Sequence, residues 1–508
     1  MTTTEMAPRS ATPASPADAL ALSQANLPRL PKAVDPPTYD RRELRPGVVH
    51  IGVGGFHRAH QARYLDRLAR LGLADAWGIT GVGLHSAEIG QALRAQDGLY
   101  LLVEHGGEEP EAHVVGALRH YLYGAEGPDA VLDALSAPET RIVTLTITGN
   151  GYHLTSAGEF RADDPVVAAE LRNPGRPDTA FGYLVEALDR RRRSGTPPFT
   201  VLSCDNIPSN GKAARTMLVS FAELRDPALA RWIENNVAFP NSMVDRITPE
   251  TPVEERADIS RPFGVLDRWP VVTERFTQWV IEDEFSNGRP RLEEVGVQFV
   301  SDVAPYELTK KRLLNASHCA LGYLGYLAGY RTTAEVMADP VYAAFISGLI
   351  DEVTPLLPRV DGLPLAPYKA TLLERLANPA ISDQLTRLCR RGSTKMPSYL
   401  LPSIEESIAA GRPHPLMTLA VAGWFRYLTG EDYAGRPIEV EGPLSEEMVG
   451  RARQDGADPT PLLEVEDVFG SLADAPAFVR DLHVASEALR AGPRETLETW
   501  LSIRGVHR

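Results

Sequence analysis

From Val48 onward the chain alternates short apolar runs with stretches of helical period: VVHIGVG, WGITGVGL, RIVTLTIT, FTVLSCDN and VQFVSDV. Strands that alternate with helices bury both faces in a mainly parallel sheet, so this order predicts an α/β domain. After Pro305 the pattern changes. Apolar residues now recur at helical spacing, as in YELTKKRLLNASHCALGYLGYLAGY and PLMTLAVAGWFRYL, which predicts a second, mostly α-helical domain. At 508 residues and about 150 residues per domain, two large lobes are the simplest expectation. The α/β domain is expected over residues 41–300 and the helical one over 301–508. Residues 1–40 carry Pro8, Pro13, Pro16, Pro28, Pro31, Pro36 and Pro37 and are expected to form a flexible lead-in. Within it, a short helix from about Pro16 to Asn26, capped by Ser15, is expected. The Gly-, Glu- and Pro-rich stretch Thr429 to Pro459 reads as a surface excursion.

Charge and composition narrow the function. A formal net charge of -15 would repel a phosphate backbone, and no basic run is long enough for an arm, so nucleic acid is not an expected partner. The most apolar helical stretch, Ala316 to Tyr330, is shorter than the ~18 residues a membrane span needs, so no membrane association is expected. Three scattered cysteines, Cys204, Cys319 and Cys389, do not make a disulfide framework, and the N-terminus lacks a secretory pattern. A reducing cytoplasm fits these features; a small-molecule substrate and a monomer or small homo-oligomer are expected. One bias stands out: of 52 basic residues only six are lysines, namely Lys32, Lys212, Lys310, Lys311, Lys369 and Lys395. Arginine can replace lysine as a surface charge but cannot give up its proton near neutral pH, so the remaining lysines are candidates for proton chemistry.

The first strong strand runs into Gly52-Val53-Gly54-Gly55-Phe56-His57-Arg58, after which a helical pattern begins. Glycines at such a turn let the backbone approach a pyrophosphate, and the following helix supplies unpaired N–H groups. The sixth position of the glycine pattern is His57, so by itself the segment reads either as a cofactor turn or as a structural one. Just past the next strand, Gly81-Val82-Gly83-Leu84, Glu88 is the one acidic side chain placed to bind an adenosine ribose and repel the extra phosphate of NADP. It could also be the solvated start of the next helix.

After Pro305, which suits a first helical turn, come Glu307, Lys310, Asn315 and His318. At about 100° per residue, Lys310, Glu307, His318 and Asn315 fall near 0°, 60°, 80° and 140°, on one side of the helix. Leu313 and Leu314 face the other way. Oxidation of an alcohol by hydride loss needs a base tuned toward neutrality, and a desolvated lysine can serve. An amide such as Asn315 can hold the developing alkoxide, and His318 a neighbouring hydroxyl. A solvated polar face is the bland alternative. Metal catalysis is not expected: no CxxC or HExxH spacing occurs, and His57 and His60 sit in the proposed phosphate turn. The clusters Ser203 to Lys212 and Phe239 to Arg246 line a cleft or are simply Asn- and Pro-rich turns.

Together, IGVGGFHRAHQ, TLTIT-x2-GY, SCDNIPSNG, FPNSMVDRITP, WPVVTERFTQWVIEDEF, the Lys310-x4-Asn315-x2-His318 spacing and STKMPSYLLPSI resemble the long-chain mannitol dehydrogenase family of polyol dehydrogenases and sugar-acid reductases. The resemblance runs from about Val48 to the C-terminus. It implies an N-terminal Rossmann-type domain, a helical C-terminal domain and NAD as cofactor, with substrate in the intervening cleft. It implies Lys310 as general acid-base, Asn206 with Asn315 as the oxyanion-holding pair, and Asp245, His318, Arg387 and Lys395 as contacts to substrate hydroxyls. Glu307 would gate a proton path. The sequence departs from the family's common TLTITExGY at Thr148-Gly149-Asn150-Gly151-Tyr152, where the carboxylate is missing. The expected reaction is reversible oxidation of mannitol or a related polyol to the ketose; fructuronate or tagaturonate reduction is the nearest alternative. A dinucleotide-binding sensor without turnover is a third, which the intact Lys310, Asn315 and His318 set disfavours.

Overall fold

A computed structural model describes residues 19–106, 109–155, 157–360, 362–381, 383–454 and 458–503. The chain forms two compact units that meet in sequence at Val303 and Ala304. The N-terminal unit is built on five parallel strands, β1 Pro46–Ile51, β2 Gly78–Gly83, β3 Leu118–Tyr123, β4 Ile142–Leu145 and β5 Thr200–Ser203. They lie in the order β3-β2-β1-β4-β5, with Leu118, Ile79, Val48, Ile142 and Thr200 in register across the sheet. This is the doubly wound order, whose topological switch point falls between β1 and β4.

Alternation along the strands explains why they read as unbroken apolar runs. Val48, Ile79, Ile142 and Leu202 enter one core, whereas Val49, Val82, Val143 and Val201 enter a second on the opposite face. The run VQFVSDV does contain a strand, Gln298–Val300, but it belongs to a separate three-stranded sheet with Gln278–Glu282 and Ser242–Asp245.

The described part of the expected lead-in is not a loose segment. Leu20–Ala21 pairs in parallel with Val265–Leu266, and Val34–Asp35 with Ala112–His113. Leu22 and Val34 are buried with Leu99, Leu101 and Val103. Pro36 and Pro37 end the second strand rather than forbid it, because a proline cannot donate to the ladder beyond that point. The expected helix from Pro16 to Asn26 is replaced, from Leu20 on, by that strand and a 3-10 turn at Gln24–Arg29. Its first residues, and Pro8 and Pro13, lie outside the described residues.

The C-terminal unit is helical, as expected. Around Ala316–Leu327 and Pro415–Leu428 it gathers one core in which Tyr323, Leu324, Phe345, Ile350 and Trp424 are buried. The Thr429 to Pro459 stretch differs from a surface excursion: Ser445–Ala452 is a helix, and Ile438, Met448 and Ala452 enter the core. Residues 455–457 of that stretch are outside the described residues. Among the described residues no helix is long and apolar enough to cross a membrane.

Candidate active site

In the N-terminal unit the glycine turn leaves β1 at the switch point. Gly52 has φ +98°, and a Cβ there would run into the carbonyl oxygen of Thr146, at the end of β4. Thr146 Oγ1 in turn donates to the Gly52 carbonyl at 2.7 Å, fastening the turn to β4. Beyond it, ideal Cβ positions at Gly54 and Gly55 meet nothing closer than 3.8 and 3.9 Å, so their backbones are open to close approach. Helix α1, Gly55–Ala59, begins here, followed by α2, Gln61–Arg70. Phe56 is half-buried and stacks on His60 at 5.0 Å. An open turn of this kind at a switch point, with Glu88 exposed in the first turn of the helix after β2, fits a dinucleotide.

His57 and Arg58 are placed differently from simple ligand contacts, because both side chains are buried. The His57 ring stacks on His50 of β1, centroids 3.4 Å apart and 14° from parallel. In the glycine fingerprint the third glycine allows close helix–strand packing; here a flat ring against a flat ring fills that position. Burial lowers the His57 imidazole well below its ordinary value, and lowers that of His50 to about 3, so both are neutral at working pH. Arg58 donates to the carbonyls of Gly54 and Trp269 and lies over the Tyr100 ring. Its role within this unit is to hold the turn. Gly52→Ala should weaken NADH binding by roughly tenfold or more, because relieving a strain of about 1–3 kcal/mol would require the turn to move. A fluorescence titration of NADH measures it.

At the carboxyl end of β5 the chain turns through Asp205 and Asn206. Asn206 is exposed and Asp205 buried. Asn210 organises this turn: its Nδ2 donates to the carbonyls of Ser203 (3.1 Å), Asp205 (3.1 Å) and Ser242 (2.8 Å), and its Oδ1 accepts from Ser242 N (2.9 Å). One amide thereby joins the turn that carries Asn206 to the start of Ser242–Asp245, the strand that ends in buried Asp245.

In the C-terminal unit Lys310 closes the helix Ala304–Lys310 and is buried, 7% exposed. The next five residues, Lys311–Asn315, form a π-helical turn before the α-helix resumes at Ala316. The regular 100° wheel therefore does not hold across this segment. In a π-turn the bonds run from i to i+5, so residue i+5 comes back over residue i, and Asn315 moves toward the side of Lys310. Asn315 is 8% exposed, and its Nδ2 is buried with no hydrogen-bond partner among the described residues. Glu307 is ion-paired with Lys311. His318, three residues past the turn, is half-buried.

The other two sequence candidates lie side by side. Lys395 Nζ donates to the carbonyls of Arg387 (3.2 Å) and Leu388 (3.0 Å), and burial, with the charge of Arg387 adding to it, lowers its ammonium from the ordinary value. Arg387 is held by Asp383, Nε to Oδ1 at 2.8 Å and Nη2 to Oδ2 at 2.5 Å. The pairing to Asp383 escaped sequence reasoning, although an acid four residues before an arginine is a readable signal.

Among the described residues one group places three metal-ligand atoms within 4.8 Å of one another: Glu104, Glu111 and His113. Its carboxylate Glu104 is also met by Arg246 at 2.8 Å and Arg63 at 3.2 Å. Two guanidinium charges at that distance already neutralise the site, and the cluster is read as an ion-pair network.

Residues 46–294 match the model of the mannitol dehydrogenase Rossmann domain, and residues 302–490 that of the mannitol dehydrogenase C-terminal domain. The chain belongs to the mannitol dehydrogenase family. It is 45% identical over 500 residues to a mannitol 2-dehydrogenase of Phaeosphaeria nodorum, covering 97% of this chain and 87% of that protein. The mannitol 2-dehydrogenase of Pseudomonas fluorescens, solved as a ternary complex with NAD and D-mannitol, is 44% identical with a TM-score of 0.86, covering 95% of this chain and 100% of the other. A D-sorbitol dehydrogenase in substrate-free form matches at 36% identity and a TM-score of 0.87, over 94% of this chain and 100% of that one.

Proposed function

We propose that this protein is an NAD-dependent mannitol 2-dehydrogenase that interconverts mannitol and fructose. The observation that carries the reading is a buried lysine, Lys310, joined by a π-turn to a buried amide donor, Asn315, in a chain similar over 97% of its length to a mannitol 2-dehydrogenase. Bound NAD supplies the hydride acceptor. Lys310 takes the proton of the substrate hydroxyl in oxidation and returns it in reduction. Asn315, with its amide hydrogens uncommitted, and Asn206 hold the oxygen that becomes anionic. Asp245, His318, Arg387 and Lys395 orient the remaining hydroxyls, and Glu307, beside Lys311, passes the proton to solvent. Gly52, Gly54 and Gly55 admit the pyrophosphate, and Glu88 takes the adenosine ribose. The three cysteines are free and buried, which suits a cytoplasmic setting.

Hexuronate reduction would need a cationic clamp for the substrate carboxylate. Asp383 engages only the Nε and Nη2 edge of Arg387, so this residue could serve either substrate; the 44–45% identity to mannitol 2-dehydrogenases favours the polyol. Initial rates over polyols, ketoses and ketohexuronates with NAD(H) and NADP(H) test the reading. Mannitol with NAD should lead, and kcat/KM with NAD should exceed that with NADP by about tenfold or more, an ion–phosphate repulsion of about 1.4 kcal/mol. Preferred turnover of a ketohexuronate would overturn it.

A further inference from the structure

We propose that Asp205 is a positioning residue for the nicotinamide half of the cofactor: its buried carboxylate clamps the chain at Ile147 and Thr148 in a strained conformation and so shapes the wall of the switch-point crevice beside Asn206. The inference rests on the dinucleotide reading above and goes beyond it.

The strain is local and specific. Thr148 has φ +63° and ψ +163°, a region essentially reserved for glycine and least tolerant of a β-branched residue. Thr148 is exposed, as are Gly149 and Asn150, so core packing of these side chains does not hold the backbone there. Asp205 does. Its Oδ1 accepts from Thr148 N at 2.8 Å, and its Oδ2 accepts from Ile147 N at 3.0 Å and from the Tyr152 hydroxyl at 2.7 Å. Both carboxylate oxygens are thus committed to one stretch of chain, Ile147 to Tyr152, just after β4.

The clamp is itself fixed from behind. The Tyr152 hydroxyl also meets Ser203 Oγ at 2.5 Å, and the Asp205 carbonyl is held by Asn210. Burial raises the Asp205 carboxyl from its ordinary value, opposed by the N–H of Ile147, the Tyr152 hydroxyl and the N–H of Thr148. A carboxylate is an expensive group to bury for a single turn. Two acceptor oxygens are what this geometry requires: asparagine in the same place would present an NH2 group to one of the donors.

Location gives the strain a use. Thr146 fastens the glycine turn to β4, and the clamped residues follow at once. The first half of a doubly wound sheet receives the adenosine part of a dinucleotide; the second half, β4 and β5 here, receives the other nucleotide. The clamp therefore bears on nicotinamide and leaves adenosine alone.

Asp205→Asn, Thr148→Gly and Tyr152→Phe are made in the full chain and titrated with NADH and with ADP-ribose, which lacks the nicotinamide. Asp205→Asn is expected to weaken NADH about tenfold, the equivalent of one lost charged hydrogen bond, and to leave ADP-ribose within about twofold. Thr148→Gly should raise the melting temperature by a few degrees, as expected where strain is relieved. If Asp205→Asn does not fold, Tyr152→Phe gives the same NADH-selective loss, smaller, about threefold. Equal loss of both ligands, or loss of neither, overturns the proposal, because a carboxylate that only holds the fold together has no reason to distinguish them. If wild-type protein turns over no polyol, the functional reading fails and the NADH to ADP-ribose comparison still decides the clamp.

Discussion

Replacing Lys310 with arginine should cost about 10²–10⁴-fold or more in kcat in both directions, nearly as much as Lys310→Ala. Arginine keeps the positive charge and most of the length, but its guanidinium stays protonated at any working pH and cannot accept the hydroxyl proton. In the wild type, a base that must be neutral for oxidation and protonated for ketose reduction makes oxidation rise with pH and reduction fall. Both trends should be lost in Lys310→Arg. Cofactor binding should survive, since the glycine turn lies in the other unit, and an NADH titration of the same variants checks this. Near-normal kcat for Lys310→Arg in both directions would remove Lys310 from the proton path.

A large loss of stability is expected from Glu104→Gln. Glu104 is 2% exposed, and it accepts from Arg246 (2.8 Å) and Arg63 (3.2 Å), with His113 at 3.4 Å. Arg67 and Glu111 complete the surroundings. Burial alone would raise its carboxyl, but the His113 ring and the Arg246 and Arg63 guanidiniums more than offset this and hold it well below the usual carboxylate range. A folded-state pKa below the unfolded one stabilises the protein at pH above the ordinary value of about 4.3. That contribution disappears as the pH falls toward the depressed value. Removing the charge takes the paired carboxylate from buried Arg246, while Arg63 keeps Asp66 at 3.2 Å, and breaking such a buried pair costs about 3–5 kcal/mol. Urea midpoints between pH 7 and pH 3 should fall in the wild type and fall less steeply in Glu104→Gln. A variant as stable as wild type at pH 7 would mean that the network is energetically idle.

The legible parts of this fold were those set by local pattern. VVHIGVG, WGITGVGL, RIVTLTIT and FTVLSCDN are four of the five parallel strands, because a strand buried on both faces writes an unbroken apolar run. Leu118–Tyr123, the remaining one, carries Arg119 and His120 and so lacks that mark. The strands at Leu20–Ala21 and Val34–Asp35 escaped notice because their partners lie far along the chain and their composition is that of a linker. In the site, Lys310 and Asn315 stood out by residue type and spacing. The π-turn between them did not: KRLLN is an ordinary helical string, with nothing in it to mark an extra residue in the turn. Asp205 was visible only as one letter in a polar turn, since its donors lie 57 and 58 positions away.

The stacked imidazoles of His50 and His57 carry a practical consequence for kinetics. Held uncharged by burial, they cannot ionise anywhere between mildly acidic and strongly alkaline solution, so the scaffold beneath the cofactor turn is electrically silent over the range in which a lysine changes state. A pH–rate profile of this enzyme is therefore expected to carry no inflection from His50 or His57.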